Sequence, residues 1–301
     1  MVRKQLITAI ILAGTAFTAA ADGLNGSGHY TPGVGNIRDF TMPDQAGFIY
    51  EQYNLYYASD DFKDRNGNSI GQGQELTTGA VAPLLMWVTD KEILGARYSF
   101  YINPSYVNTE MDNQGVGGGV GDLYVQPLWL GWLNEQYDVT LGAGVYIPIG
   151  DDDVTLDMWT AQVQAAGYYY FMDKASALML AATYEFHGES DATGVKPGDH
   201  LTLEYGYSQY LTQQLEIGIR GYSQWQTESD SLPADMKNVN HMFGTSLGEK
   251  SEVHALGLQV GYWFNSNWNI TANYSKEYSA SARYEGEIFS LNLTYSGNPV
   301  Y

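Results

Sequence analysis

The sequence predicts an all-β fold: a transmembrane antiparallel up-and-down β-barrel of about 12 strands with both termini periplasmic. Three observations carry this reading. Segments of about ten residues alternate apolar and polar side chains, as a strand with one lipid face and one water face must. Short turns and longer polar loops alternate between those segments. A leader of the secretory kind precedes them all.

In the leader, Arg3 and Lys4 form a basic start, Leu6 to Phe17 is mostly apolar, and Ala19 and Ala21 fit a cleavage site after Ala21. The chain therefore divides into a signal peptide at 1–21, a segment at 22–46 and a barrel at 47–301. Residues 22–46 are rich in Gly, Pro and polar residues and carry no strand pattern. They precede the first strand, so they form either a periplasmic tail or a plug folded into the lumen.

Composition excludes several classes. The net charge of −20 is wrong for a nucleic-acid binder. The absence of cysteine removes disulfides, thiolate metal sites and cysteine nucleophiles. Beyond the leader, no apolar run reaches the ~18 residues of a membrane helix. The 25 Tyr, 34 Gly and 7 Trp suit a barrel with aromatic girdles and glycine-rich loops.

Strands are expected to begin near Phe48, Glu75, Ile93, Gly121, Tyr137, Met158, Ser176, His200, Leu215, Ser251, Trp268 and Arg283. The fifth is the clearest. Val139, Leu141, Ala143, Val145 and Ile147 point one way, and Asp138, Thr140, Gly142, Gly144 and Tyr146 the other. In the seventh, Leu178, Leu180, Ala182, Tyr184 and Phe186 oppose Met179, Thr183, Glu185 and His187. The first and fourth alternate poorly. Short turns are read at Thr89–Glu92, Asn134–Gln136, Met172–Ala175, Thr212–Gln214 and Asn265–Asn267. Longer loops are read at Ser59–Gln74, Asn108–Val120, Gly150–Asp157, Gly188–Asp199 and Glu228–Lys250. This is the asymmetry of bacterial outer-membrane barrels, and it requires an even strand count. Trp87, Trp132, Trp263 and Trp268 near short turns, with Trp159 and Trp225 near long loops, are assigned to two membrane girdles.

The same alternation places Arg97, Tyr101, Tyr146, Tyr168, Glu185, Glu204, Tyr210, Glu216 and Arg220 on the lumen face. Pairing Leu211 with Leu215 sets Arg220 opposite Gly206 and diagonal to Glu204, within reach of an ion pair. Such a pair serves either as a solute-filtering constriction or as a brace in a closed lumen. Catalytic residues are not found. His254 falls on the lipid face, but the sequence offers no G-x-S-x-G and no serine at matching depth. His187 and His200, with Glu185 and Glu189, make no metal motif. The acidic run Asp151-Asp152-Asp153 lacks EF-hand spacing. No cofactor or metal is expected.

Three stretches carry a family likeness. Gly28-His29-Tyr30-Thr31-Pro32-Gly33 precedes the first strand, Gly121-Asp122-Leu123-Tyr124-Val125-Gln126-Pro127-Leu128 opens the fourth, and Gly144-Val145-Tyr146-Ile147-Pro148-Ile149-Gly150-Asp151 closes the fifth. In this order they resemble the "MetA-pathway of phenol degradation" family, the SphA-type outer-membrane transporters. The resemblance implies a passive channel in the bacterial outer membrane for small hydrophobic or aromatic solutes. Its expected partners are outer-membrane lipid, lipopolysaccharide, the barrel-assembly machinery and the solute. A structural or adhesive barrel, an outer-membrane lipid hydrolase and a general porin are the alternatives.

Overall fold

Alternating side chains on paired strands dictate the architecture, and the computed structural model describes it for residues 28–70, 73–234 and 248–298. The strand segments are β1 (Gly47–Phe62), β2 (Leu76–Ile93), β3 (Ala96–Asn103), β4 (Tyr106–Met111), β5 (Gln114–Val120), β6 (Leu123–Leu133), β7 (Tyr137–Ile147), β8 (Thr160–Phe171), β9 (Ser176–His187), β10 (His200–Tyr210), β11 (Leu215–Gln226), β12 (Glu252–Trp263), β13 (Trp268–Ser281) and β14 (Tyr284–Ser296). β2 pairs with β3 along one half and with β4 along the other, so β3 and β4 form one wall strand broken at Pro104-Ser105. β5 pairs with β4 and β6 with β3, so these two form the next, broken at Gly121-Asp122. The wall thus has 12 antiparallel strands. It closes through β1, where Tyr50 faces Tyr295 of β14 on one side and Leu85 of β2 on the other. Closure satisfies the backbone groups that hydrocarbon would leave unpaired, at several kcal/mol each.

The outer face is an apolar belt. Val139, Leu141, Val163, Leu178, Leu180, Ile217, Ile219, Leu256, Leu258, Val260, Phe289 and Leu291 are all exposed. Their neighbours in sequence, such as Asp138, Thr140, Gln162, Met179, Gln259 and Asn292, are buried inside. No helix among the described residues is long and apolar enough to cross a membrane, and the crossing elements are strands.

Several expectations need correction. The turn read at Thr89–Glu92 is strand: β2 runs to Ile93, and the chain reverses at Leu94–Gly95, both at positive φ (54° and 76°). A two-residue hairpin of this hand matches the twist of its strands, and it overrides leucine's reluctance. The loop read at Asn108–Val120 is also strand. β4 and β5 extend the third and fourth wall strands around a two-residue turn at Asp112-Asn113, φ 50° and 61°. Gln-Gly-Val-Gly-Gly-Gly-Val shows no alternation because glycine has no side chain to alternate, yet its backbone pairs with β4 along its length, with one register shift between Thr109 and Glu110. β6 carries a third irregularity. Pro127 has no N–H for the ladder, and the register shifts beside it, between Val125 and Leu128 against β7. The shift turns Trp129 inward, where it is 3% exposed. The leader, Tyr301 and much of the Glu228–Lys250 loop lie outside the described residues.

The end of β5 lacks a wall partner on its far side. There Val120 donates to Asp151 Oδ2 and accepts from Asp151 N–H, both at 2.8 Å. The acidic loop therefore seals a strand edge.

Candidate functional site

Residues 28–42 lie inside the barrel, and their contacts run around most of the wall. Asn36 reaches Glu51 of β1, Asn273 of β13 and Asn292 of β14 at 2.7–3.0 Å. Ile37 N–H donates to Gln259 of β12 (2.7 Å). Arg38 bonds Ser208 of β10 (3.1 Å) and Glu216 of β11 (2.6 Å). Phe40 N–H donates to Tyr168 of β8 (3.0 Å), and Thr41 to Asp138 of β7 (2.9 Å). Only a segment threaded through the lumen can touch these strands together. This strap has irregular backbone, so its polar groups need partners, and the polar inner face supplies them. Packing is equally specific. A Cβ on Gly218 would stand 2.4 Å from Ile37 Cδ1, and one on Gly33 (φ +80°) 2.7 Å from the Tyr222 ring. Ile37 and Phe40 pack with Ala166, Tyr168, Tyr170 and Met179, while Met42 packs with Met86, Tyr101, Tyr124 and Trp129.

Most of the lumen residues read from the sequence meet the strap. Glu185 accepts from the N–H groups of His29 and Tyr30, both at 3.0 Å. Glu204 accepts from the Tyr30 hydroxyl and from Gly33 N–H, and Arg220 lies 3.4 Å away. Arg220 also donates to Gly35 O. The pairing of Gly206 with Arg220 is the expected register. Tyr168 donates to Ile37 O at 2.8 Å. Arg38, which holds Glu216, lies 4.8 Å over the Tyr210 ring. Tyr146 stacks on His29 at 4.4 Å. Tyr101 donates to Gln126 and touches the Tyr124 and Trp129 rings. Arg97 stands apart, donating to Thr89 O near the short-turn rim. The girdle assignment fails for Trp263. Its indole shares the inward parity of Gln259 and Gly261 and donates to the Tyr210 hydroxyl (3.1 Å). Trp87, Trp159 and Trp268 are exposed, Trp132 and Trp225 partly so.

Between the strap and β1–β8 lies a cavity of about 250 Å³. His29, Tyr30 and Phe40 form its strap side, while Leu84, Met86, Tyr101, Tyr124, Trp129 and Tyr146 line its wall. Polar groups complete the lining, among them Gln162, Gln164, Asn103 and the carboxyls of Asp39, Glu51 and Asp122. An apolar cavity of about 150 Å³ is enough to hold benzene. Burial raises the Asp39 carboxyl to about 6, against the lowering effect of hydrogen bonds from Asn36 and Tyr53. Burial lowers the His29 imidazole despite the nearby Asp122 carboxylate.

Two side-chain clusters escaped the sequence reading. On the outer wall, His254 Nδ1 lies 2.8 Å from Ser223 Oγ and Nε2 2.7 Å from Glu252 Oε1. The missing serine sits directly opposite on β11. Inside, His187 and Glu185 are joined by His29 of the strap, whereas Glu189 is exposed. Only the Gly28–Gly33 motif hinted at this, without a partner.

The fold is that of a closed outer-membrane-type β-barrel with the strap in its lumen. Residues 59–293 match the family described as "Putative MetA-pathway of phenol degradation", and the chain belongs to that family. The Gly28–Gly33 motif and the whole strap precede the matched range. Among solved structures, the COG4313 outer membrane channel from Pseudomonas putida F1 is similar at a TM-score of 0.75 and 14% identity, over 87% of this chain and 99% of that one. The CymD monoaromatic hydrocarbon channel gives a TM-score of 0.45 at 9% identity, over 85% of this chain and 90% of that one. No curated protein matches the chain.

Proposed function

We propose that this protein is a passive channel in the bacterial outer membrane for small hydrophobic or aromatic molecules, gated by its own strap. The observation that carries the reading is the largely aromatic and aliphatic cavity of about 250 Å³ between strap and wall. Apolar lining with a few polar groups suits such a solute, and tyrosine rings offer faces to stack on. Family membership and the name of the similar COG4313 channel support it. The short-turn rim faces the periplasm, so both barrel ends and the strap enter from there. The belt contacts outer-membrane lipid, and the long-loop rim meets lipopolysaccharide. The last strand, with Leu291, Leu293 and Tyr295, is the segment read by the barrel-assembly machinery. The solute diffuses down its gradient once the strap moves. Loss of the gene should slow uptake of a small aromatic such as phenol, and wild-type protein should restore it. Unchanged uptake overturns the reading.

A second reading is favoured by one observation, the Ser223–His254–Glu252 chain on the outer wall. It would make the protein an ester hydrolase of membrane lipid. It ranks behind because β11 and β12 pair without interruption beside Ser223, which commits the N–H groups on that side to the ladder rather than to an oxyanion; the register shift of β12 against β13 lies on the far side of His254. Lipid hydrolysis lost in both Ser223→Ala and His254→Ala would establish it.

A further inference from the structure

Where the strap enters the region between β8 and β9, a chain of polar side chains runs through buried space. His29 Nε2 lies 3.0 Å from Asp122 Oδ2, and His29 Nδ1 lies 2.9 Å from Thr160 Oγ1. The same hydroxyl lies 2.9 Å from His187 Nδ1, and His187 Nε2 lies 2.9 Å from His200 Nδ1. An ionised carboxylate only accepts, so Asp122 fixes the proton of neutral His29 on Nε2. His29 Nδ1 is then a lone pair directed at the Thr160 hydroxyl, which His187 Nδ1 also meets, so an ion bound between the two rings takes over or joins that hydroxyl's contacts. The Glu185 carboxylate closes the group: one ligand atom each from His29, Glu185 and His187 all lie within 4.8 Å of one another.

We infer that His29, Glu185 and His187 form a binding site for a divalent transition-metal ion, Zn²⁺ being the best fit, which ties the strap to the wall. Two imidazoles and one carboxylate are a common catalytic-type zinc set, with the fourth position left to water or to the Thr160 hydroxyl. Metal-bound histidines almost always donate their other N–H to a carboxylate or similar acceptor. Asp122 stands in that place for His29, and His200 Nδ1 for His187 once His187 and His200 both exchange tautomers, so that His187 Nε2–H donates to the His200 Nδ1 lone pair. The Tyr146 ring, stacked 4.4 Å from His29, fixes the imidazole plane. Zinc–nitrogen bonds of about 2.0–2.1 Å place neighbouring ligand atoms roughly 3.3 Å apart. Closing onto the ion therefore takes side-chain shifts of about an ångström. One ligand comes from the strap and two from β9, so the metal binds the docked strap and favours it by mass action.

The test uses the purified full-length protein in detergent, stripped of metal and titrated with Zn²⁺ by calorimetry. Hydrogen exchange of residues 28–35 is followed in parallel. The inference expects about one Zn²⁺ per chain, slower exchange of the strap when it binds, and loss of both in His29→Ala and His187→Ala. Asp122→Asn should weaken binding by roughly 10–100-fold. Co²⁺ should give the visible spectrum of a four-coordinate nitrogen–oxygen site. His29 lies outside the strands, so the barrel of His29→Ala should form, as heat-dependent gel migration checks. Equal Zn²⁺ binding by wild type and His29→Ala, no binding by folded wild type, or binding without strap protection would each overturn the inference. No solute enters these readouts, so the channel proposal stands or falls separately.

Discussion

The two sides of the lumen are built by different rules. Where β10–β14 meet β1, charged and aromatic groups fill the space. Arg283 Nη2 lies 3.4 Å from Glu277, which accepts from the Tyr57 and Tyr222 hydroxyls, and Arg220 lies 3.4 Å from Glu204. All six side chains are buried. Toward β1–β8 the inner face turns to Leu84, Met86, Trp129 and a group of tyrosines, and there the cavity remains. Buried charges must each be met by a partner, so they draw their surroundings shut. Apolar rings tolerate an unfilled volume that matches a solute. The difference teaches that strap contacts run round both sides, while the charge-rich side closes and the aromatic side keeps the open volume.

The sharpest way to break this contrast is to unpair the braced side. Arg220→Ala leaves Glu204 buried and uncompensated and should cost about 3–5 kcal/mol in denaturant unfolding. Glu204→Gln in the same chain should recover part of that loss. Substitutions on the open side should behave differently. Ala82→Phe, pointed into the cavity, should slow aromatic uptake several-fold while unfolding shifts by less than the roughly 1–3 kcal/mol of overpacking. Equal destabilisation at the two sites would erase the distinction.

Strap anchoring can be titrated. Asp39 takes up a proton at about 6 when docked, against an ordinary 3.8, so the docked state binds more protons between those values. Its contribution to docking grows as pH falls through 6 and fades as pH rises above it. His29, lowered by burial, acts in the opposite sense below its ordinary 6.5. The ratio of strap protection in wild type to that in Asp39→Asn isolates the first effect. It should rise several-fold between pH 7 and pH 5 in protease-nicking assays, whereas a flat ratio contradicts the burial of Asp39. The smallest effect is expected on the outer wall. Ser223→Ala removes one hydrogen bond to His254 and should cost about 0.5–1.5 kcal/mol.

Period-two alternation made the wall legible. β7 and β9 reveal both faces in sequence because each inward polar residue sits between outward aliphatic ones. The register of Arg220 against Gly206 followed from a short turn and simple counting. Alternation is blind where side chains are missing or the ladder slips. β5 is mostly glycine, and the bulge beside Pro127 reverses the parity of Trp129. The strap was one of two readings of residues 22–46, but its partners were beyond reach for another reason. Asn36 finds Asn273 and Asn292, and His29 finds Glu185, across more than 150 residues. No local pattern encodes such partners. The serine facing His254 was likewise visible only once strand pairing was known.

Single-channel conductance of the full-length protein, beside a chain lacking residues 28–46, tests the gated lumen most directly. Both barrels must first show folded, heat-dependent gel migration. A closed full-length channel and steady conductance from the shortened one is the predicted result. Equal conductance from the two, whether open or silent, would contradict a strap that closes the passage.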